Sequence, residues 1–357
     1  LPPVAALGRP HPGRIHATGW PIAKGEALNE TRRWLLPALM MIVLVAVVLS
    51  VAVGSAAIPP SQVLAALTGA GDPVIRLIVV ELRVPRALLG LLVGAVLGLA
   101  GAALQGYLRN PLAEPSVLGV SNGAALGAVI ALYFGLAGAS VVALPLLAIA
   151  GGLAGLGALF ALAGRSESPL TVILAGIAIS TLAGAAISLA LNLSPNPFAA
   201  MEITTWLLGS LEDRSFAHVM TALPAIAIGA ALLAWDGRAL DALTLGEDGA
   251  AALGVDLRRT RARLLLGVGI GVGGAVAVSG SIGFVGLIVP HLVRPLTDRS
   301  PSALLWPSAL AGAALLLLAD VLVRVIPTGS ELRLGVVTAF LGVPVFLVHL
   351  MRERRLW

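Results

Sequence analysis

Cysteine is absent from the sequence, which removes disulfides, thiolate metal sites and cysteine nucleophiles and leaves redox chemistry without support. Lysine is almost as scarce: Lys24 stands alone and is followed by Gly25 and Glu26. No phosphate-binding loop of the GxxxxGK[ST] kind can therefore be assembled, so the chain does not hydrolyse ATP itself. Charged residues are few, 11% against 58% hydrophobic in 357 residues, and the mean hydropathy is +0.98. That balance excludes an ordinary soluble domain and calls for a polytopic membrane protein. The net charge of +5 does not point to nucleic acid, because the basic residues are nearly all arginines spread among apolar spans.

Residues 1–33 are rich in Pro, Gly, Arg and His and have no apolar centre. They read as a mobile cytoplasmic tail, neither signal peptide nor span, with 34–357 as one membrane domain. A crossing needs roughly 20 apolar residues. Apolar runs lie at about 35–54, 87–107, 117–135, 141–163, 170–193, 217–235, 263–297, 303–323 and 334–350. The seventh is too long for one straight crossing and carries Gly280, Gly283, Gly286 and Pro290; dividing it near Ser281 gives ten spans. The expected fold is all-α, with ten transmembrane helices and short broken ones. Arg32 and Arg33 precede the first span, and Arg352, Arg354 and Arg355 follow the last. With both termini inside, only Arg76, Arg83, Arg86, Arg214, Arg324 and Arg333 of the 23 basic residues fall outside, which supports that orientation.

One interruption stands out. Arg109, Asn110, Pro111, Glu114 and Pro115 fall between two strongly apolar stretches. Backbone at membrane depth must find internal partners, so such a break implies a pathway or a protein-lined cavity. A weak internal repeat at an offset of 175 residues pairs Glu81 with Asp256, Gly94 with Gly269, Gly98 with Gly273, Leu112 with Leu287 and Pro115 with Pro290. Its copies start on opposite sides, as in the inverted repeats of transporters.

Three stretches carry a specific resemblance. They are Arg83-Val-Pro-Arg86 leading into Gln105-Gly-Tyr-Leu-Arg-Asn-Pro-Leu-Ala-Glu-Pro115 and Leu118-Gly-Val-Ser-Asn-Gly123; Gly280 to His291; and Leu318 to Arg324 with Glu331 to Phe346. From about residue 35 onward the chain resembles permeases of the iron-siderophore, haem and vitamin B12 family of ABC importers. The resemblance implies a homodimer in the bacterial inner membrane, two cytoplasmic ATPase subunits that use ATP and Mg, and a periplasmic binding protein. It implies no cofactor, metal site or catalytic residue in this chain.

The same resemblance assigns roles to residues. Leu240 to Val255, Ala-rich and ended by Gly254, forms the largest cytoplasmic loop. Glu247 and Asp248 suit a helix N-terminus, and Ala250, Ala251 and Leu253 offer an apolar knob. In the family this position is the coupling helix that docks on the ATPase. Asn110 and Leu112 match one cytoplasmic gate. The second gate falls at Ser166-Glu-Ser-Pro-Leu170, where Pro169 and Leu170 replace the small hydroxyl residues of the cobalamin member. Arg83, Arg86 and Arg324 match positions that pair with glutamates of the binding protein, as an arginine fork can; Asp320, one turn before Arg324, is the competing intrahelical partner.

The segment Trp206 to His218 is similar to haem permeases. Arg214 then meets a haem propionate at the mouth of the pathway, or pairs structurally with Glu212 or Asp213. His218 either visits the iron or is an interfacial polar residue, and His291 reads as structural. The expectation is haem import, with ferric-siderophore or corrinoid import as the alternative. A secondary transporter is a more distant alternative, and it requires an ionisable site near mid-membrane that the spans scarcely provide. An intramembrane hydrolase requires Ser279 or Ser281 with His291, and no oxyanion motif accompanies them.

Overall fold

The computed structural model describes residues 22–116, 118–140, 142–163, 169–326 and 331–353. The described residues form sixteen α-helices in chain order and contain no strand. Seven are long and apolar enough to cross a membrane: α1 (Ile22–Ala52) through its Trp34–Ala52 part, α4 (Val84–Leu108) with the turns before it, α7 (Ala143–Ala163), α8 (Pro169–Asn192), α10 (Phe216–Trp235), α13 (Leu257–Ser279) and α15 (Pro301–Val325). Three shorter apolar helices, α5 (Val120–Tyr133), α14 (Val285–Val293) and α16 (Leu334–Glu353), complete the ten expected from the sequence.

Local signals explain several boundaries. Asp72 and Asn196 accept backbone amides at the starts of α3 (Pro73–Arg76) and α9 (Pro197–Leu207), each with Pro at the first helical position. Between α3 and α4, Leu77–Arg83 winds as a π-helix. Pro85 follows, and its missing amide withholds the bond that the carbonyl of Glu81 would receive in a regular helix. The first helix already begins at Ile22, inside the stretch expected to be tail, because Glu26-Ala-Leu supplies good helix formers. Residues 1–21 lie outside the described residues.

The centre of the bundle is α4, α13 and α15, whose most apolar windows are 78%, 78% and 61% buried, against 22% for α1 and 33% for α8. Small residues allow this closeness. A Cβ on Gly94 of α4 collides with the backbone of Gly312 on α15, and one on Gly101 collides with the backbone of Gly286 on α14. Helices in an apolar solvent associate through such close packing rather than through water exclusion.

The repeat keeps its register only in part. Gly94 and Gly269, and Gly98 and Gly273, fall inside the equivalent helices α4 and α13. Leu112 and Pro115 lie in the break after α4, however, whereas Leu287 and Pro290 lie inside α14. The first break is the longer, so a fixed offset cannot pass through both.

Candidate functional site

Polar side chains collect at the two ends of the bundle. At the first end, the start of α4, the end of α15 and the segments preceding α10 and α16 surround a cavity of about 180 Å³. Helix α1 ends there without a glycine cap, so its last carbonyls need donors. Arg83 supplies them to Val51, Ala52 and Ala56 at 3.1, 2.7 and 2.6 Å. Arg324 does the same for Ser50 and Val53 at 2.8 and 2.7 Å, a cation favourably placed at a helix C-terminus.

Asp320 organises the rest of that end. It accepts Arg86 Nε at 2.9 Å and pairs with Arg324 Nη2 at 2.9 Å, while the other edge of Arg86 meets Glu331. Asp320 is 1% exposed and Arg324 4%. In the isolated chain the donors of these three arginines, expected to meet a binding protein's carboxylates, are engaged internally. Burying ions is costly unless each is paired, so this neutralising network holds its members together. The intrahelical pair of Asp320 and Arg324 is present, but it is buried rather than at the surface. It sits at the end of α15, not in mid-span, and so does not supply the ion site of a secondary transporter.

Arg214 lines the same cavity. Its Nε is buried with no hydrogen-bond partner. Glu212, one expected partner, bonds Arg333 instead at 2.8 Å. Burial pushes the Arg214 guanidinium below its usual range, opposed by the nearby Asp213 and Glu212 charges. The loop carrying it is fixed from behind, since the Ser210 amide donates to Ser279 and the Leu334 amide to Gly209. His218 caps α10 together with Ser215, its Nδ1 lying 3.2 Å from the Ser215 amide.

At the opposite end, α4 stops in a left-handed cap at Arg109 (φ 48), where the amides of Arg109 and Asn110 return to Gly106 and Gln105. Asn110 then folds the next residues into an Asx turn by accepting the Leu112 amide at 2.9 Å. Leu112 is left 42% exposed at the tip. Of the second expected gate, 164–168 lie outside the described residues, Pro169 opens α8, and Leu170 is exposed on its first turn. Ser180 of α8 donates to the Ser116 carbonyl at 2.9 Å, tying α8 to the first break.

Glu114 lies in that break. One carboxyl oxygen accepts the Ser116 hydroxyl and the other is buried without a partner. Burial pushes its pKa up, against the Ser116 hydroxyl and the Phe284 amide, which pull it down. His291 reaches the same break, with Nε2 2.8 Å from the Pro111 carbonyl. The hydrolase alternative thus finds its histidine engaged with backbone.

The loop between α10 and α13 forms two short helices, α11 (Gly237–Leu243) and α12 (Glu247–Ala252). Glu247 and Asp248 occupy the first turn of α12, as expected, and Gly254 takes the positive φ of 83° that ends the segment. Leu240, Leu243 and Ala250 face the core, whereas Ala251 and Leu253 are exposed. The knob thus loses Ala250 and gains Leu245, which is 69% exposed.

The model of the FecCD transport family matches residues 42–352. The chain is 42% identical to an uncharacterized ABC transporter permease protein, YvrB, of Bacillus subtilis over 80% of this chain and 82% of that one. It is 41% identical to the cobalamin import system permease protein BtuC of Halobacterium salinarum over 78% and 74%, and 42% identical to the Fe(3+) dicitrate transport system permease protein FecD of Escherichia coli over 78% and 86%. A solved inward-facing conformation of a metal-chelate type ABC transporter superposes with a TM-score of 0.79 at 32% identity, covering 89% of this chain and 98% of the other.

Proposed function

The chain belongs to the FecCD transport family, and from that premise we propose that it moves haem from a periplasmic binding protein through the bacterial inner membrane to the cytoplasm. It is the membrane permease of an ABC importer and relies on separate ATPase subunits. Two copies form the pathway, and ATP and Mg are bound by the two ATPase partners. In this reading the Arg83 end faces the periplasm and the Arg109 end the cytoplasm, following the arginine bias. The buried network of Arg83, Arg86 and Arg324 then holds the rim on which the binding protein docks. Leu245 and Leu253 meet the ATPase, and the Asn110–Leu112 and Pro169–Leu170 turns gate the exit.

The observation that supports an anionic cargo is Arg214, a guanidinium at the cavity with one buried donor unused. Such a group guides haem propionates off the binding protein without holding them tightly, since transport needs release as well as capture. Arg214→Ala is expected to cut haem uptake while assembly and basal ATP hydrolysis persist. A parental rate of haem uptake in that variant would transfer the reading to ferric siderophores or corrinoids; the E. coli relative is named for Fe(3+) dicitrate and the H. salinarum relative for cobalamin. Stimulation of ATPase activity by haem, ferric siderophores and cobalamin, each with a binding protein in the assembled complex, separates these cargoes directly.

A further inference from the structure

Helix α14 carries a defect. Pro290 has no amide, so the carbonyl of Gly286, four residues earlier, lacks its helical donor. The donor comes from the other half of the chain. Helix α4 approaches α14 backbone to backbone at Gly101, and one turn further along, Gln105 is 4% exposed and directs Nε2 to the Gly286 and Leu287 carbonyls, 3.3 Å each. Its Oε1 accepts Arg294 Nη2 at 2.8 Å, beyond the other end of α14. Filling a freed backbone group with a neighbouring side chain is how a broken helix persists in apolar surroundings.

The exchange also runs the other way. One turn beyond Gln105, α4 ends and the Arg109–Leu112 turn begins. Its Pro111 carbonyl is held by His291, the residue after the helix-breaking proline. A carbonyl only accepts, so Nε2 of His291 carries the hydrogen in this contact.

We propose that His291 is a positioning residue for the inner gate: through Pro111 it pins the Arg109–Leu112 turn to α14, which Gln105 seats against α4 at the Pro290 defect. The gate turn thereby follows α14 rather than the end of its own helix. The inference rests on the gate reading of Asn110 and Leu112, but its test reads position rather than transport.

Because the chain has no cysteine, a single spin label can be placed at Leu112→Cys, with a second sample labelled at Phe134→Cys as a reference, an exposed site at the far end of α5. Spectra are recorded on the permease assembled with its ATPase subunits in lipid nanodiscs. His291→Ala is expected to raise the mobile-to-immobile population ratio at position 112 about fivefold, the ~1 kcal/mol net worth of one hydrogen bond, and to leave position 134 unchanged. His291→Gln, which can present a side-chain N–H at a similar distance, restores the immobile spectrum. Gln105→Leu mobilises position 112 as well, because it loosens α14 itself, and it serves if the alanine variant does not assemble. An unchanged spectrum at 112 in both variants overturns the proposal. So does equal mobilisation at 112 and 134, which marks general loosening. If the labels respond as expected while haem transport fails in the parent protein, the cargo reading falls and the positioning role stands.

Discussion

A carboxyl group in the wrong solvent reports on its own fold through pH, and Glu114 is such a group. Burial raises its pKa, and the Ser116 hydroxyl and Phe284 amide offset this only in part. The folded chain therefore holds this proton more tightly than the unfolded one. The resulting stability is fully present below the unfolded value, about 4.3, and is lost as pH rises through the folded value. Glutamine stays neutral throughout and keeps an oxygen to accept the Ser116 hydroxyl. Glu114→Gln should thus be at least as heat-stable as the parent at neutral pH, with the difference closing as pH falls into the ordinary carboxylate range. Thermal unfolding of the purified protein across pH checks this, and a difference that does not vary with pH would contradict it. Sequence spacing marked Glu114 only as part of a break. Its environment depends on Phe284, far along the chain. Arg83 and Arg324 show the same limit: the motif identified them as important, but the carbonyls they cap belong to the end of α1 and the residues just after it, and no local pattern announces that contact.

At the scale of elements, long apolar runs made the spans legible, since 3.6-residue geometry and bilayer thickness constrain them together. The short helices were harder. Helix α9 escaped the span count although Asn196-Pro197 is a recognisable start signal; its eleven residues are too few to register as a crossing. The α11–α12 loop was legible in composition but not in orientation, because helices this short have no full amphipathic period to read. The structure turns Ala250 inward and leaves Leu245 and Leu253 outward. Leu253→Arg places a charge on the exposed apolar face without disturbing the core. We expect normal membrane insertion and weakened co-purification with the ATPase subunits, together with reduced substrate-stimulated turnover. An intact complex with unchanged turnover would remove the docking role from this loop.

The whole molecule joins that loop to the opposite end through one pair of helices. Asp241 of α11 accepts the Ser302 amide at 2.9 Å and the Ser302 hydroxyl at 2.6 Å, so the loop is fastened to the first turn of α15. Leu240 packs in the same core as Leu304 and Leu305, and Gly106 of α4 lies against Pro301. From there α15 runs along α4, in contact at Gly98, Gly94 and Gly90, to the Asp320 network that ties Arg86 to Arg324. Close packing along this length leaves little room for the two helices to slide independently. A displacement imposed on the loop is therefore carried to the far end by the pair as a unit, provided the loop stays fastened. Asp241→Ala removes both bonds to Ser302 at one surface-proximal site while leaving Leu245 and Leu253 in place. It should preserve assembly and basal ATP hydrolysis but reduce the stimulation produced by the loaded binding protein at the other end, with Asp241→Asn, which keeps one acceptor oxygen, falling between. Equal stimulation in parent and alanine variant would mean that the signal crosses the molecule by another route, with α10 and α13 as the next pair to test, since Gly229 and Gly271 bring their backbones into similar contact.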